Sequence, residues 1–146
     1  FEKRLAAADI PLRHIECGAN VPMYVTNIRC ESVGAFSGPL VVSMRPIRMD
    51  KVAEVTRITG QVPQVHGSPV HTGAPEAIGI KDISRPDFGD AVPIEDGEVP
   101  VFWGCGVTPQ AVAIEAKLPL MITHSPGHMF VTDALEAYVE KFFAAT

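Results

Sequence analysis

Apolar residues in this chain gather into short β-branched runs separated by Gly- and Pro-rich stretches, and that rhythm sets the predicted elements. Phe1–Ala8 reads as the end of a helix, broken before Pro11. Leu12–Cys17 alternates too weakly to orient a strand. Met23–Cys30 is rich in strand formers, and Leu40–Met44 is a short strand of buried type. Asp50 stands where it can cap a helix whose Val52, Val55 and Ile58 share a face, with Gly60 ending it. Residues 61–97 hold many of the prolines and glycines and are expected as loop and short extended pieces. So long an irregular stretch in a compact unit usually carries function or wraps another element.

The last third has a clearer pattern. Val99–Trp103 is a strand, Thr108 caps a helix with Pro109 at its first position, and Leu120–His124 is the next strand. Thr132–Ala144 closes the chain as an amphipathic helix through Leu135, Tyr138, Val139 and Phe142. Strand–helix–strand–helix order predicts a parallel pair joined by a right-handed crossover. The expected fold class is α/β: a mixed sheet with flanking helices and a C-terminal β-α-β-α unit holding that pair. The 146 residues are expected to form one piece, without repeats.

Composition narrows the function classes. An apolar fraction of 47% with 20% charged residues suits a globular core. A net charge of -5 without a basic cluster argues against nucleic acid, and no apolar run reaches membrane-spanning length. The start, Phe-Glu-Lys-Arg, has neither an initiator Met nor a signal-peptide pattern. Cys17, Cys30 and Cys105 are odd in number and lack CxxC spacing, which points to a reducing, cytoplasmic setting rather than a disulfide framework.

Two turns concentrate the candidate chemistry: Val101–Gln110, and the stretch from Ile122 to Asp133. Each delivers polar groups from a strand end to the start of a helical pattern, where unpaired N–H groups favour anions. The histidines come in pairs, His66 with His71 and His124 with His128. Pro126 and Gly127 separate the second pair, so one helical face for an HxxxH metal site is not expected, and the imidazoles suit acid–base work instead. No metal or other cofactor is therefore predicted. Cys105, between two glycines ahead of a helix, is a candidate nucleophile whose pKa the helix dipole would lower; inert packing is the plainer reading. Thr108 serves either as helix cap or as ligand contact. Arg45 is expected at a strand end stopped by Pro46, either ready for bidentate contact with a carboxylate ligand or in a salt bridge to one of the central loop acids. Asp82, Asp87, Asp90, Asn20 and Asn27 read as turn residues, and Asp133 as a first-turn acid.

The runs Arg13-His-Ile-Glu16, Asn20-Val-Pro-Met-Tyr24, Val41-Val-Ser-Met-Arg-Pro46, His66-Gly-Ser-Pro-Val-His71, Pro100-Val-Phe-Trp103, Cys105-Gly-Val-Thr-Pro-Gln110 and Ile122-Thr-His-Ser-Pro-Gly-His-Met129 resemble the D-glutamate cyclase-like family of hydro-lyases. The likeness runs from about Phe1 to Asp133. Family members carry a further block before the point matching Phe1, so this stretch resembles the C-terminal part of a bacterial member. Gly104 and Ala74 stand where the family pattern has Ala and Asp. The resemblance implies interconversion of D-glutamate with 5-oxo-D-proline and water. Such chemistry needs a base, an acid for the leaving oxygen, donors for the oxyanion and a cation for the α-carboxylate. On this reading His124 or His128 is the main proton-transfer group, with His66, His71 and Cys105 as further catalytic candidates. Arg45, Thr108, Gln110 and Gly106 would hold a small amino-acid-derived carboxylate. A metal-dependent amide or lactam hydrolase and a non-catalytic small-anion binder are the competing readings, and a homo-oligomer is compatible with all three.

Overall fold

The strand-forming runs become the long strands of a computed structural model that describes residues 1–129 and 131–133. The elements are α1 (Glu2–Ala6), α2 (Arg13–Glu16), β1 (Met23–Arg29), β2 (Pro39–Arg48), α3 (Val52–Gly60), β3 (His71–Thr72), β4 (Glu98–Gly104) and α4 (Thr108–Glu115). The four strands form one sheet in the order β1-β2-β4-β3, and every neighbouring pair is antiparallel. The class is thus mixed α/β, with helices flanking the sheet.

The expected parallel pair is absent from this sheet. β4 already has β2 along its whole length on one side and β3 at Val101 and Phe102 on the other. Leu120–His124 is irregular, with Leu120 75% and Ile122 89% exposed. An apolar run becomes a strand only where a sheet edge can satisfy its backbone, and on β4 the middle of the one side not taken by β2 is held by β3. The closing helix expected over Thr132–Ala144 lies, beyond Asp133, outside the described residues.

Pro46 does not end β2, which continues to Arg48. It sits opposite Pro100 of β4. The Pro100 carbonyl faces the other way, accepting from the Gly73 N–H at 2.9 Å, so the two prolines face each other where the ladder needs no N–H. Pro46's own bonding side lies past the start of β1, whose last contact there is Met44 N–H to the Pro22 carbonyl. Arg45 is consequently an interior sheet residue. The other expected boundary that moves is at Asp50: its carboxylate pairs with Arg48, and α3 begins at Val52 without a side-chain cap.

Residues opposite one another in an antiparallel ladder share a face. Ser43, Arg45 and Ile47 of β2 therefore stand beside Trp103, Val101 and Val99 of β4. Phe1, Leu5, Ile10 and Leu12 from the N-terminal helices, and Val55, Ile58 and Val62 from α3, pack on this layer. Trp103 is fully buried there, its indole N–H donating to Thr59 Oγ1 at 3.2 Å. The opposite face carries Tyr24, Val42, Met44 and Phe102, covered by Ile78 and Ile80 and partly by Ile83, Val92 and Ile94. The long irregular segment thus wraps the sheet, with the Tyr24 hydroxyl donating to the Ile83 carbonyl at 2.7 Å.

These assignments separate two residues of similar apolarity. Phe102→Ala should cost about 3–5 kcal/mol in denaturant unfolding, as for a large buried side chain. Ile122→Ala should stay within about 0.5 kcal/mol, as for an exposed position. Comparable losses at both sites would restore Leu120–His124 to the core.

Candidate functional site

The C-terminal end of β4 opens into a groove of about 500 Å³, lined by Leu40, Gln64, Val65, His66, Gly104, Cys105, Gly106, Thr108 and Pro109. A larger hollow of about 920 Å³ lies elsewhere, around Arg13, Arg48, Lys51, Glu95 and Glu98. Its cations are already matched: Arg13 to Glu95 and Glu98, Arg48 to Asp50, and Lys51 to Glu54. Of the candidate residues, His66, Cys105, Gly106 and Thr108 line the smaller groove.

His66 enters that groove from the turn after α3. Its backbone is left-handed, φ 72°, a conformation that costs a non-glycine residue free energy and persists where surrounding structure imposes it. The constraint is visible: Nδ1 lies 2.5 Å from the Gly104 carbonyl, and the ring meets Phe1 edge-on at 5.1 Å. A carbonyl only accepts, so Nδ1 carries the proton and Nε2 is left as the basic nitrogen, with no hydrogen-bond partner among the described residues. One side of the residue is open to solvent. Burial of the rest pushes the imidazole below its usual 6.5, outweighing the Gly104 bond that would raise it. The ring is therefore neutral at neutral pH.

Cys105 lines the same groove. Burial pushes its thiol pKa up, against the Val107 and Gly106 N–H groups and the Arg45 charge, which all pull it down. The expected dipole-lowered thiolate is corrected accordingly: at neutral pH this is a thiol. A Cβ at Gly104 would meet only Leu40 Cδ1 at 3.9 Å, so the Ala that the resemblance led one to expect there would also fit the groove.

Thr108 is the first residue of α4 rather than its cap. Its hydroxyl accepts from the Val41 N–H at 3.0 Å and donates to the Val41 carbonyl at 3.2 Å. Its proton is spent on joining α4 to β2, leaving only acceptor capacity for a ligand. Gly106 is exposed at the groove's mouth, with open space around it. Gln110 reaches the other way, its Nε2 donating to the His124 carbonyl at 3.1 Å.

His124 and His128 are exposed and do not line the groove. Each donates Nδ1–H to a nearby carbonyl, of Ser125 and Pro126 respectively. Gln110 anchors their turn at one end and Asn20 at the other, Nδ2 donating to the Pro126 carbonyl at 3.2 Å. Gly127 is required there, because its φ is 76° and a Cβ would collide with the Asn20 amide. His71 belongs to the opposite face of the sheet: it pairs with Phe102, with ring centroids 5.8 Å apart, and donates Nε2–H to the Ala74 carbonyl. His66 and His71, five residues apart, are thus separated by the sheet itself. Among the described residues no three His, Cys, Asp or Glu side chains converge as metal ligands. No helix among them is long and apolar enough to cross a membrane.

Arg45 is 4% exposed and does not reach out to a ligand. Its Nε and Nη2 donate to Glu2 Oε1 at 3.0 and 2.5 Å, and Nη1 donates to Ser43 Oγ at 3.0 Å. The guanidinium lies over the Phe1 ring at 4.6 Å and the Trp103 ring at 5.5 Å. His14 Nε2 also meets Glu2 Oε1, at 3.2 Å. Sequence reasoning missed Glu2, Phe1 and His14 altogether. Their residue types were visible, but only the packing of α1 and α2 on the sheet brings them to Arg45.

The arrangement can now be set beside known proteins. Residues 1–133 match the family described as D-glutamate cyclase. The chain belongs to the D-glutamate cyclase family. It is 62% identical over 140 residues to a Rubrobacter xylanophilus protein named "Putative hydro-lyase", covering 96% of this chain and 54% of that one. A similarly named Clostridium beijerinckii protein is 58% identical over 133 residues, covering 91% of this chain and 51% of the relative. A Bacillus licheniformis relative of like name matches at 62% over 133 residues, again 91% and 51% of the two chains. The chain spans about half the length of the curated relatives it matches. In this member of the D-glutamate cyclase family, the groove at the end of β4 is lined by His66 and Cys105.

Glu2 also gives this region a pH signature. Burial alone would raise its carboxyl pKa, but the His14 hydrogen bond and the Arg45 charge together hold it down to about 2. A folded pKa below the ordinary 4.5 contributes stability that is present above 4.5 and lost as pH falls toward about 2. Glu2→Gln should therefore lower stability at neutral pH and flatten its fall across that window. Thermal unfolding measured against pH for both proteins checks this, and parallel curves would refute it.

Proposed function

We propose that the groove interconverts D-glutamate with 5-oxo-D-proline and water, with His66 as the proton-transfer group. The observation that carries this reading is a neutral imidazole whose Nδ1 is tied to Gly104 and whose Nε2 is free, standing in a groove of a D-glutamate cyclase family member. In the ring-closing direction His66 Nε2 takes a proton from the substrate ammonium. The amine then attacks the side-chain carboxyl carbon; as the C–N bond forms, the nitrogen's second surplus proton passes to one carboxyl oxygen, the imidazolium gives its proton to the same oxygen, and the C–O bond breaks to release water. In reverse, His66 activates water against the lactam carbonyl. The Gly106 and Val107 N–H groups around the Cys105 sulfur favour negative charge there, as an oxyanion requires.

Cys105 forms a neutral wall in this scheme, because a buried thiol is a poor nucleophile. Arg45 contributes a positive charge from behind the groove rather than a direct grip on the carboxylate. Thr108 and Gln110 hold the framework. His124 is the second proton-transfer candidate, since Gln110 keeps its backbone at the first turn of α4. His128 follows from the same turn, and His71 takes no part.

The test is conversion of 5-oxo-D-proline to D-glutamate in ¹⁸O-labelled water, followed by mass spectrometry, in the purified protein and in the full-length Rubrobacter xylanophilus relative. One labelled oxygen should appear in the side-chain carboxyl. His66→Ala should lower turnover by about 10²–10⁴-fold. Lactam opening should rise with pH through a midpoint below 6.5 and then level off. Cys105→Ala should keep most of the activity. A loss confined to His124→Ala would move the role to that residue, and complete loss in Cys105→Ala would favour an acyl-enzyme route. Ligand-induced thermal stabilisation without any turnover would make the groove a small-anion binding site.

A further inference from the structure

The groove's base rests on a column of side chains that takes no part in the chemistry. Glu2 Oε1 accepts from Arg45 Nε and Nη2 and meets His14 Nε2. The Arg45 guanidinium covers the Phe1 ring at 4.6 Å, and the edge-on contact of Phe1 with His66, at 5.1 Å, completes the column. Phe1 is itself 6% exposed and also stacks near Trp103, at 5.5 Å between centroids. A cation over a ring is attracted to its electron-rich face, which fixes the ring's plane as well as its place. A ring so fixed presents one surface to the imidazole.

We propose that Phe1 and Glu2 are positioning residues for His66: Glu2 holds Arg45, Arg45 holds the Phe1 ring, and Phe1 holds the imidazole with Nδ1 on the Gly104 carbonyl and Nε2 turned to the groove. The proposal rests on the reading of His66 as the base and adds how that base is kept in one tautomer. A histidine with a left-handed backbone has no local reason to keep one ring orientation, and the Gly104 bond lies on a partly open residue. The column supplies the constraint from the far side. The charged or titratable groups facing this ring are Arg45 from β2, the Phe1 amino group, Glu2 from α1 and the Cys105 thiol beyond β4. Of these, Arg45 and the Phe1 amino group oppose protonation and Glu2 favours it.

The experiment is nitrogen NMR of the ¹⁵N-histidine-labelled chain without substrate, following the His66 ring nitrogens across pH and assigning them by their loss in His66→Gln. The wild type should show one neutral tautomer, Nδ1–H, titrating below 6.5. Phe1→Leu removes the ring but keeps the apolar bulk; it should give mixed tautomers and a midpoint moved back toward 6.5. Glu2→Gln should also give mixed tautomers, to a smaller extent, while moving the midpoint further below 6.5 because it removes a charge that favours protonation, and Phe1→Tyr should restore the single tautomer. The Trp103 indole N–H, bonded to Thr59, reports whether each variant keeps its core. Should Phe1→Leu lose that signal, Glu2→Gln decides alone, its side chain being 36% exposed. An unchanged single tautomer in the folded variants overturns the proposal. Because the tautomer is read without turnover, this outcome is independent of whether His66→Ala abolishes activity.

Discussion

A guanidinium buried in the middle of a β-sheet is the constraint on which the rest of this structure depends. Arg45 cannot be desolvated alone, and removing the partner of a buried charge typically costs about 3–5 kcal/mol. The chain meets this demand from far away in sequence: Glu2 accepts two of its N–H groups, Ser43 takes another, and two aromatic rings cover the cation. That obligation docks α1 on the sheet. With α1 come Phe1 and Leu5 into the main core, and with Phe1 comes the surface against which His66 rests. One side chain's desolvation problem is thereby coupled to the orientation of a groove residue.

The parts of this fold that could be read from sequence are those decided by local pattern. The β-branched runs gave β1, the middle of β2, and β4 nearly to the residue, and the Thr108-Pro109 start gave α4. What could not be read depends on who sits beside whom. Pro46 looks like a strand terminator until β1 is known to have ended before it, at which point the missing N–H costs nothing. Leu120–His124 has strand composition, yet its fate was decided by β2 and β3 occupying both sides of β4. Edge availability is a property of the assembled sheet and leaves no mark on the run itself.

The candidate site divides along the same line. Cys105, Gly106 and Thr108 were legible because a strand running into Gly and Pro before a helix marks a place where backbone and side chains face a ligand. His66 was legible only as one of a pair, and the pairing misled: the pleat and the turn send His66 and His71 to opposite faces of the sheet. Arg45 was read as pairing either with a ligand carboxylate or with a central-loop acid, and in the structure its partner is Glu2 of α1. An arginine between a buried strand and a proline is equally consistent with a ligand carboxylate and with an internal one, and only the packing of α1 distinguishes them.

Charge balance in the groove carries one last consequence. Burial drives the His66 imidazole and the Cys105 thiol in opposite pKa directions, and both end neutral. Arg45 is the nearby cation, but Glu2 offsets its charge and the guanidinium is enclosed. The described lining therefore contains no exposed Lys or Arg to meet the α-carboxylate that both D-glutamate and 5-oxo-D-proline carry. An anion can still be met here by the Gln64 amide, at lower strength than by a bidentate guanidinium, since the Thr108 and Gln110 N–H groups at the start of α4 are already bonded to the Cys105 and Val107 carbonyls. Tight carboxylate recognition would require a cation from outside this lining, and relatives twice as long as this chain have the length to provide it.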